Sequence, residues 1–205
     1  TFSGKKAIHM VSAWASQNRM VLGQIKTEEK SNEITAIPKL LDTLVLKGCI
    51  VTIDAMGCQK QIAEKIIDDG ADYVLALKGN QGEFHEDVKH QFEFLQPEQV
   101  DEQTDAGHGS IETRKCSVIG NLKFLDTAEQ WKGLSTIAKV ESSRIIGEEK
   151  KTETRYYISS LAADAQKINS AVRTHWQIEN SLHWSLDVTF KEDECRIRKG
   201  YGAEN

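Results

Sequence analysis

The 205-residue sequence predicts an α/β fold whose core surrounds a β-rich block. Residues 49–77 have the pattern of strand, helix and strand, which is typical of a parallel βαβ unit. Residues 96–155 carry strand-like runs separated by polar loops, and residues 164–186 have helical periodicity without proline or glycine. We therefore expect core segments at 1–95 and 156–205, with a β-rich insertion at 96–155.

Two strands and a helix are predicted before residue 49. Residues 6–14 (KAIHMVSAW) and 20–25 (MVLGQI) flank the polar residues 17–19, which predicts a hairpin. A helix begins near Ser31, or with Pro38 in its first turn, and Gly48 is its expected stop. The apolar stripe of this helix comprises Ile34, Ile37, Leu41, Leu44 and Val45.

The predicted elements then alternate. Residues 49–53 (CIVTI) are short and apolar, which is typical of a central strand buried on both faces. Residues 59–69 predict an amphipathic helix that ends at Gly70, and residues 73–77 (YVLAL) predict a buried strand followed by a turn at 78–80. A helix is predicted at 83–95, strands at 113–119, 134–140, 143–146 and 155–160, and a charged turn at 147–153.

Composition limits the class of protein. A net charge of −5 and a pI near 5.7 do not favour DNA binding, unless basic residues cluster or lie outside this sequence. The four cysteines, at 49, 58, 116 and 195, form no C-x-x-C pair, which disfavours a zinc ribbon and suits a reducing cytoplasm. The first residues have neither the charged flank nor the apolar run of a signal peptide, and no apolar run of the sequence reaches membrane-spanning length. We expect a cytoplasmic, nucleoid-associated protein with no membrane partner.

Two sets of residues could carry chemistry. Asp54 follows a predicted strand, and ligands bind at the carboxyl ends of strands in open α/β sheets; the alternative is an ordinary helix-capping or loop aspartate. His175, Glu179 and His183 are spaced four apart and share one helix face. The alternative for them is a polar face with Glu–His hydrogen bonds. As a zinc site they have poor geometry, since eight residues of helix span about 12 Å.

Two carboxylates from distant parts of a chain can converge on divalent metal ions. Asp54 and Glu179 could do so, and a two-metal site promotes phosphodiester cleavage. Their oxygen atoms suit Mg²⁺ or Mn²⁺, and a third carboxylate is expected. Residues 187–198 (DVTFKEDECRIR) mix acids and bases as a solvated tail would, although Arg196 and Arg198 could meet phosphates.

Several long motifs occur in the order typical of one family. The sequence resembles the DDE transposases of bacterial insertion sequences, specifically the H-repeat-associated group. The matching stretches are GQIKTEEKSNEITAIPKLL (23–41), TIDAMGCQKQIAEKI (52–66), ALKGNQG (76–82), RYYISS (155–160), HWQIENSLHWSLDVTF (175–190) and EDECRIRKG (192–200).

The resemblance implies a ribonuclease-H-like core, a mixed sheet with flanking helices, and an Asp, Asp, Glu triad. The second Asp of the family falls on Asp54 and its Glu on Glu179, and a β-rich insertion between them is usual in the family. The first Asp belongs to an Asp-Gly-Lys motif on the first core strand, and no such motif occurs here. Together with the lack of an initial Met, this implies that the first strand is missing, and the family continues past residue 205.

The resemblance also implies secondary roles near DNA or the active site. Candidates there are Lys78, Arg173 and His183. His108 belongs to a candidate DNA-contacting loop in which Ser110 stands where arginine is usual. The remaining candidates from the late helix and the tail are His175, Asp187, Arg196 and Arg198.

We therefore expect the core of a transposase that cleaves DNA and transfers strands with Mg²⁺ or Mn²⁺, truncated and inactive as it stands. Its partners would be transposon ends and target DNA, and a homodimer is one possible oligomeric state. Two alternatives remain. One is a non-catalytic remnant or interaction module, which the acidic charge favours. The other is an unrelated metallo-hydrolase that uses His175, Glu179 and His183.

Overall fold

The computed structural model describes residues 9–27, 33–107, 110–147 and 149–178. In these ranges the chain forms eight strands and four α-helices. The chain divides into two compact units, one formed by residues 1–44 and 174–205 and the other by residues 45–173.

The first unit contains a β-hairpin and a helix. Strands β1 (His9–Ala15) and β2 (Met20–Thr27) pair antiparallel, and the turn between them places Arg19 at a φ of 51°. Helix α1 (Glu33–Leu41) packs against both strands. At Gly23 of β2 a Cβ atom would lie 3.2 Å from Cδ1 of Leu40, so the absence of a side chain there permits the close approach of helix and strand. The predicted hairpin is confirmed.

Helix α1 is shorter than its apolar stripe predicts. It ends at Leu41, Ile34 is 38% exposed and Val45 is 93% exposed, so the stripe is wrong at both ends. The helix tightens after Leu40, where the Thr43 amide and hydroxyl both donate to the Leu40 carbonyl. Gly48 is not the helix stop; its amide donates to the Gly70 carbonyl ahead of the next strand.

The second unit is built on a six-stranded mixed sheet in the order β3-β4-β8-β7-β6-β5. Strands β3 and β4 are parallel, and every other neighbouring pair is antiparallel. The elements, in chain order, are β3 (Ile50–Ile53), α2 (Lys60–Asp68), β4 (Asp72–Leu77), α3 (Glu83–Phe94), β5 (Gln99–Gly107), β6 (Ser110–Ile119), β7 (Thr136–Ile146), β8 (Glu149–Ser159) and α4 (Ala165–Ile178), whose last residues belong to the first unit.

The parallel β3-α2-β4 unit is confirmed, but the predicted central position of β3 is wrong. It lies at an edge of the described sheet with its residues partly exposed, whereas β4 is buried along nearly its whole length. The apolar run at 49–53 therefore reflects burial on only part of its surface. Both helices that follow, α2 and α3, lie within one residue of their predicted bounds.

The β-rich stretch belongs to the same sheet as β3 and β4. Strand β8 joins the two parts, because Tyr156–Ser159 pair with β4 and the whole strand pairs with β7. This strand crosses residue 155, where the insertion was expected to end. The predicted turn at 147–153 is wrong for residues 149–153, which extend β8 beyond the end of β4. There the exposed Lys150 and Lys151 are typical of a protected sheet edge.

Helices cover both faces of this sheet. Tyr156 of β8 contacts His85 and Phe92 of α3 on one face. The strand register from Tyr156 across β7 and β6 leads to Val100 of β5, which therefore lies on that same face. Asp101, the residue after Val100, faces the opposite side and contacts α4. The fully buried side chains between these layers include Ile62, Ile66, Tyr73, Leu75, Val88, Ile137, Ile158 and Ile168. The architecture agrees with the predicted α/β class. No helix in the described ranges is long and apolar enough to cross a membrane.

Candidate active site

Asp54 is exposed and directly follows β3, at the edge of the sheet where parallel strands present their carboxyl ends. Its Oδ1 accepts hydrogen bonds from the amides of Met56 and Gly57, at 3.2 and 3.4 Å. Among the described residues, Oδ2 accepts none. The carboxylate is thus oriented by its own turn through one oxygen, and the other oxygen is available to a ligand. Asp54 can therefore be both a loop-capping aspartate, through Oδ1, and a ligand-binding residue, through Oδ2.

The turn after β4 holds the backbone of the Asp54 loop, which we define as residues 54–59. Nδ2 of Asn80 donates to the Ala55 carbonyl at 2.6 Å, and Nε2 of Gln81 donates to the Cys58 carbonyl at 2.5 Å. Both amides lie in a short 3₁₀ helix, Gly79–Gln81. The sequence interpretation missed these two positioning residues, because in sequence they resemble ordinary turn residues after a buried strand.

Cys58 lies inside the same loop and is fully buried. Burial, and to a smaller extent the negative charge of Asp54, raise the pKa of its thiol from 9.0 to about 12. Because the thiolate is the form that attacks electrophiles and binds metals, this side chain is a packing residue at neutral pH. Asp54 is therefore the acidic group that the loop presents to solvent.

Lys78 directly follows β4 and is exposed. Since β3 and β4 are parallel neighbours, Lys78 and Asp54 lie at the same edge of the sheet. Lys78 forms no ion pair or side-chain hydrogen bond within the described residues. This leaves its ammonium group available for an anionic ligand such as a phosphate.

The metal prediction has a partial basis in the described residues. The free Oδ2 of Asp54 fits one position in the coordination shell of Mg²⁺ or Mn²⁺, both of which take oxygen ligands. No group of three histidine, cysteine or acidic side chains that could hold a metal occurs among the described residues. A metal ion at Asp54 would therefore need further ligands from elsewhere in the chain, from DNA or from water.

Two predicted residues lie on α4. Arg173 is engaged with β5, since its Nη2 lies 2.7 Å from Oδ2 of Asp105 and its Nη1 donates to Oε1 of Gln103 at 3.4 Å. The ring of His175 lies edge-on to Trp176, with ring centroids 5.4 Å apart. A DNA contact by Arg173 or His175 stays a prediction.

The other predicted site residues lie outside the described ranges. They are Glu179, His183, Asp187, Arg196 and Arg198 in the C-terminal part, and His108 between β5 and β6. The pairing of Asp54 with Glu179 and the histidine-based metal site are therefore untested predictions.

The fold and the site define an α/β domain that presents an acidic side chain at the carboxyl edge of parallel strands. The sequence matches the transposase DDE domain over residues 2–205, and the chain belongs to that family. It is 50% identical over 98% of its length to the Escherichia coli O157:H7 protein named "Putative transposase YncI". It is 47% identical over 97% of its length to two proteins of Escherichia coli K12, "H repeat-associated putative transposase YhhI" and "Putative protein YbfL".

The family membership confirms the resemblance to DDE transposases and to the H-repeat-associated group. The chain spans about half the length of the curated relatives it matches, since the alignments cover 53% of one relative and 55% of the other two.

Proposed function

We propose that this chain is part of a ribonuclease-H-like transposase core that cleaves DNA and transfers strands with the help of divalent metal ions. The observation that carries the proposal is the family match over residues 2–205. The exposed carboxylate of Asp54 at the end of β3 supports it, because a DDE enzyme needs acidic ligands at such an edge.

Asp54 and Glu179 are the proposed metal ligands. Asp54 contributes Oδ2, while the Met56 and Gly57 amides fix the direction of its carboxylate through Oδ1. Asn80 and Gln81 hold the loop backbone, so the ligand is preorganised before a cation arrives. When bound, Mg²⁺ or Mn²⁺ supplies Lewis-acid stabilisation of charge that develops on the phosphate oxygens.

DNA is the proposed substrate, and Lys78 is the described residue best placed to contact its backbone. Lys78 lies at the same sheet edge as Asp54 and is exposed. A lysine there would act as a point charge on a phosphate and would add to affinity without adding sequence specificity. Because the whole chain carries a charge of −5, such contacts have to be local rather than spread over the surface.

The 205 residues alone contain no Asp-Gly-Lys motif and thus supply two of the three acids that the family motif places in the triad. We therefore expect this polypeptide to bind Mn²⁺ weakly and not to nick DNA. Plasmid incubated with Mn²⁺ tests this expectation. Strong nicking that Glu179→Gln abolishes would contradict the predicted inactivity while supporting Glu179 as a metal ligand.

DNA binding distinguishes the proposal from a non-catalytic remnant, which the acidic charge favours. A transposase core should bind DNA at low salt, and the logarithm of the binding constant should fall linearly with the logarithm of salt concentration. Lys78→Gln should weaken binding and reduce that slope by about one charge. Lys123→Gln is a matched control, because Lys123 is exposed on the loop between β6 and β7. No affinity at low salt would support the remnant instead.

A further inference from the structure

A row of polar contacts joins β5 to α4 within the second unit. Oδ2 of Asp101 accepts a hydrogen bond from Nδ2 of Asn169 at 2.7 Å, and Asp105 forms an ion pair with Arg173 at 2.7 Å. Gln103 lies between these acids and accepts from Arg173 at 3.4 Å. At the start of the helix, Oε1 of Gln99 accepts from the Ala165 amide at 3.4 Å. We call this row the β5–α4 seam; it comprises Gln99, Asp101, Gln103, Asp105, Ala165, Asn169 and Arg173.

The seam has a regular spacing on both elements. Its helix residues are four apart and share one helix face, and its strand residues are two apart and share one strand face. Four helix residues rise about 6 Å and two strand residues advance about 6.8 Å. Because these lengths nearly match, the contacts stay aligned along the seam, and a shift of α4 by one turn would break them together.

The seam includes a buried polar group that a purely apolar contact would not need. Asn169 is 1% exposed, and its Oδ1 has no hydrogen-bond partner among the described atoms, while its Nδ2 is held by Asp101. An apolar residue would pack on β5 in several registers, whereas a buried amide that donates to one carboxylate selects a single register. Asp101 is also held by Nε2 of Gln103 at 2.9 Å, so the acceptor itself is oriented.

A ladder of charges connects the seam to the neighbouring strands. Arg114 of β6 lies 3.8 Å from Asp105 and 3.0 Å from Glu112, and Arg144 of β7 lies 3.2 Å from Glu112. Together with Arg173, these side chains alternate in sign from the helix across three strands. Asp105 is thus held between two guanidinium groups, which fix the position of its carboxylate.

We propose that the β5–α4 seam is a positioning device that sets the register of α4 on the sheet and, through it, the placement of Glu179. Asp101 and Asp105 are its positioning residues, and Arg173 has its main role here. The helix that the sequence predicts over residues 164–186 contains both Arg173 and Glu179, so we expect a change in the register of α4 to be carried to Glu179. The step to Glu179 rests on the proposed function; the register of α4 does not.

Hydrogen exchange of the 205-residue chain tests the seam directly. In Asp101→Ala, the α4 amides from Asn169 onward should exchange about tenfold faster, because the buried amide loses its charged acceptor. In Asp105→Asn, where the ion pair is partly exposed, the increase should be about threefold. The amides of α2 should keep their wild-type rates, which separates local loosening from global destabilisation.

Glu102→Gln is the matched control for these variants. Glu102 lies on the same strand, is exposed and faces the opposite side, so its substitution makes the same charge change without touching the seam. The exchanged pair Asp105→Arg with Arg173→Asp should recover part of the protection that Asp105→Arg alone loses; the recovery is partial because Arg114 still lies beside position 105. Unchanged α4 exchange in Asp101→Ala, or equal acceleration in α2, would overturn the proposal.

Mn²⁺ titration of the same variants tests the step to Glu179. Asp101→Ala should raise the Mn²⁺ dissociation constant severalfold, in the same direction as Glu179→Gln, while Glu102→Gln should leave it unchanged. If Glu179→Gln has no effect on Mn²⁺ affinity, the proposed function fails, and the exchange data still decide whether the seam holds α4. If Glu179→Gln weakens binding and Asp101→Ala does not, the positioning of Glu179 by the seam is wrong.

Discussion

Asn80→Ala should loosen the Asp54 loop without unfolding the domain. Nδ2 of Asn80 donates to the carbonyl of the buried residue Ala55 at 2.6 Å, and alanine leaves that acceptor without this donor. A buried acceptor without a partner costs about 1–3 kcal/mol, and this bond is only partly buried, so we expect a loss of about 1–1.5 kcal/mol. Gln81 keeps its bond to the Cys58 carbonyl, which limits the damage to one end of the loop.

Urea unfolding and amide exchange measure this change. With a slope of about 1–3 kcal/mol per molar urea, the midpoint should fall by roughly 0.3–1.5 M, and the Met56 and Gly57 amides should exchange up to about tenfold faster. Asn121→Ala is the control, since Asn121 is exposed and its side chain makes only a long 3.4 Å contact to the Lys123 amide. An unchanged midpoint together with unchanged exchange in the loop would refute the idea that Asn80 holds it.

Two further predictions concern the second unit. Gly133→Ala should lower the free energy of unfolding in urea by about 2–3 kcal/mol, because φ is +73° and the new Cβ would lie 2.9 Å from Cδ1 of Ile67. The control Gly147→Ala, with φ of +60° and open space around the new Cβ, should lower it by about 1 kcal/mol. Equal losses in the two variants would contradict the clash with Ile67. Cys58 should resist a thiol reagent at pH 8 while the exposed Cys49 reacts. Folding raises the pKa of Cys58 from 9.0 to about 12, so the stability that the protonated thiol contributes is complete below pH 9 and is lost as pH rises toward 12. A free energy of unfolding that increases with pH in this window would contradict the burial of Cys58.

Local sequence signals predicted the parts of the fold that depend on local pattern. The hairpin β1–β2 follows from alternation around a polar turn. The β3-α2-β4 unit follows from two apolar runs and an amphipathic helix that is closed just after its end by Gly70, where φ is +74°. Strand β5 (QVDEQTDAG) was not predicted because most of its side chains are polar. It lies at a sheet edge, and its inward face contacts α4 through hydrogen bonds rather than apolar packing.

The same limit explains the errors at β3 and β8. The run CIVTI is apolar enough for a central strand, and its position at an edge depends on which strands pair with it, which no local pattern encodes. Residues 149–153 look like a charged turn because they carry no apolar alternation; they form a strand because β7 supplies the hydrogen bonds along one side.

The sequence predicted the acidic residue of the candidate site, but not the residues that hold its loop in place. Asp54 could be placed from the rule that strand ends carry ligands, and its exposure agrees with that placement. Asn80 and Gln81 resemble ordinary turn residues in sequence, and their contacts to the Asp54 loop depend on the side-by-side pairing of β3 and β4. Arg173 was predicted to lie near DNA or the active site. Its ion pair with Asp105 joins α4 to β5, and no local pattern shows a contact between elements so far apart in sequence.

The central proposal is that Asp54 and Glu179 hold the same metal ions, and a double-mutant cycle of Mn²⁺ affinity tests it most directly. Titrations of the wild-type chain, Asp54→Asn, Glu179→Gln and the double variant should show that each single change weakens binding and that the second change adds little to the first. Two losses that add independently, or Mn²⁺ binding that neither substitution alters, would contradict the shared site.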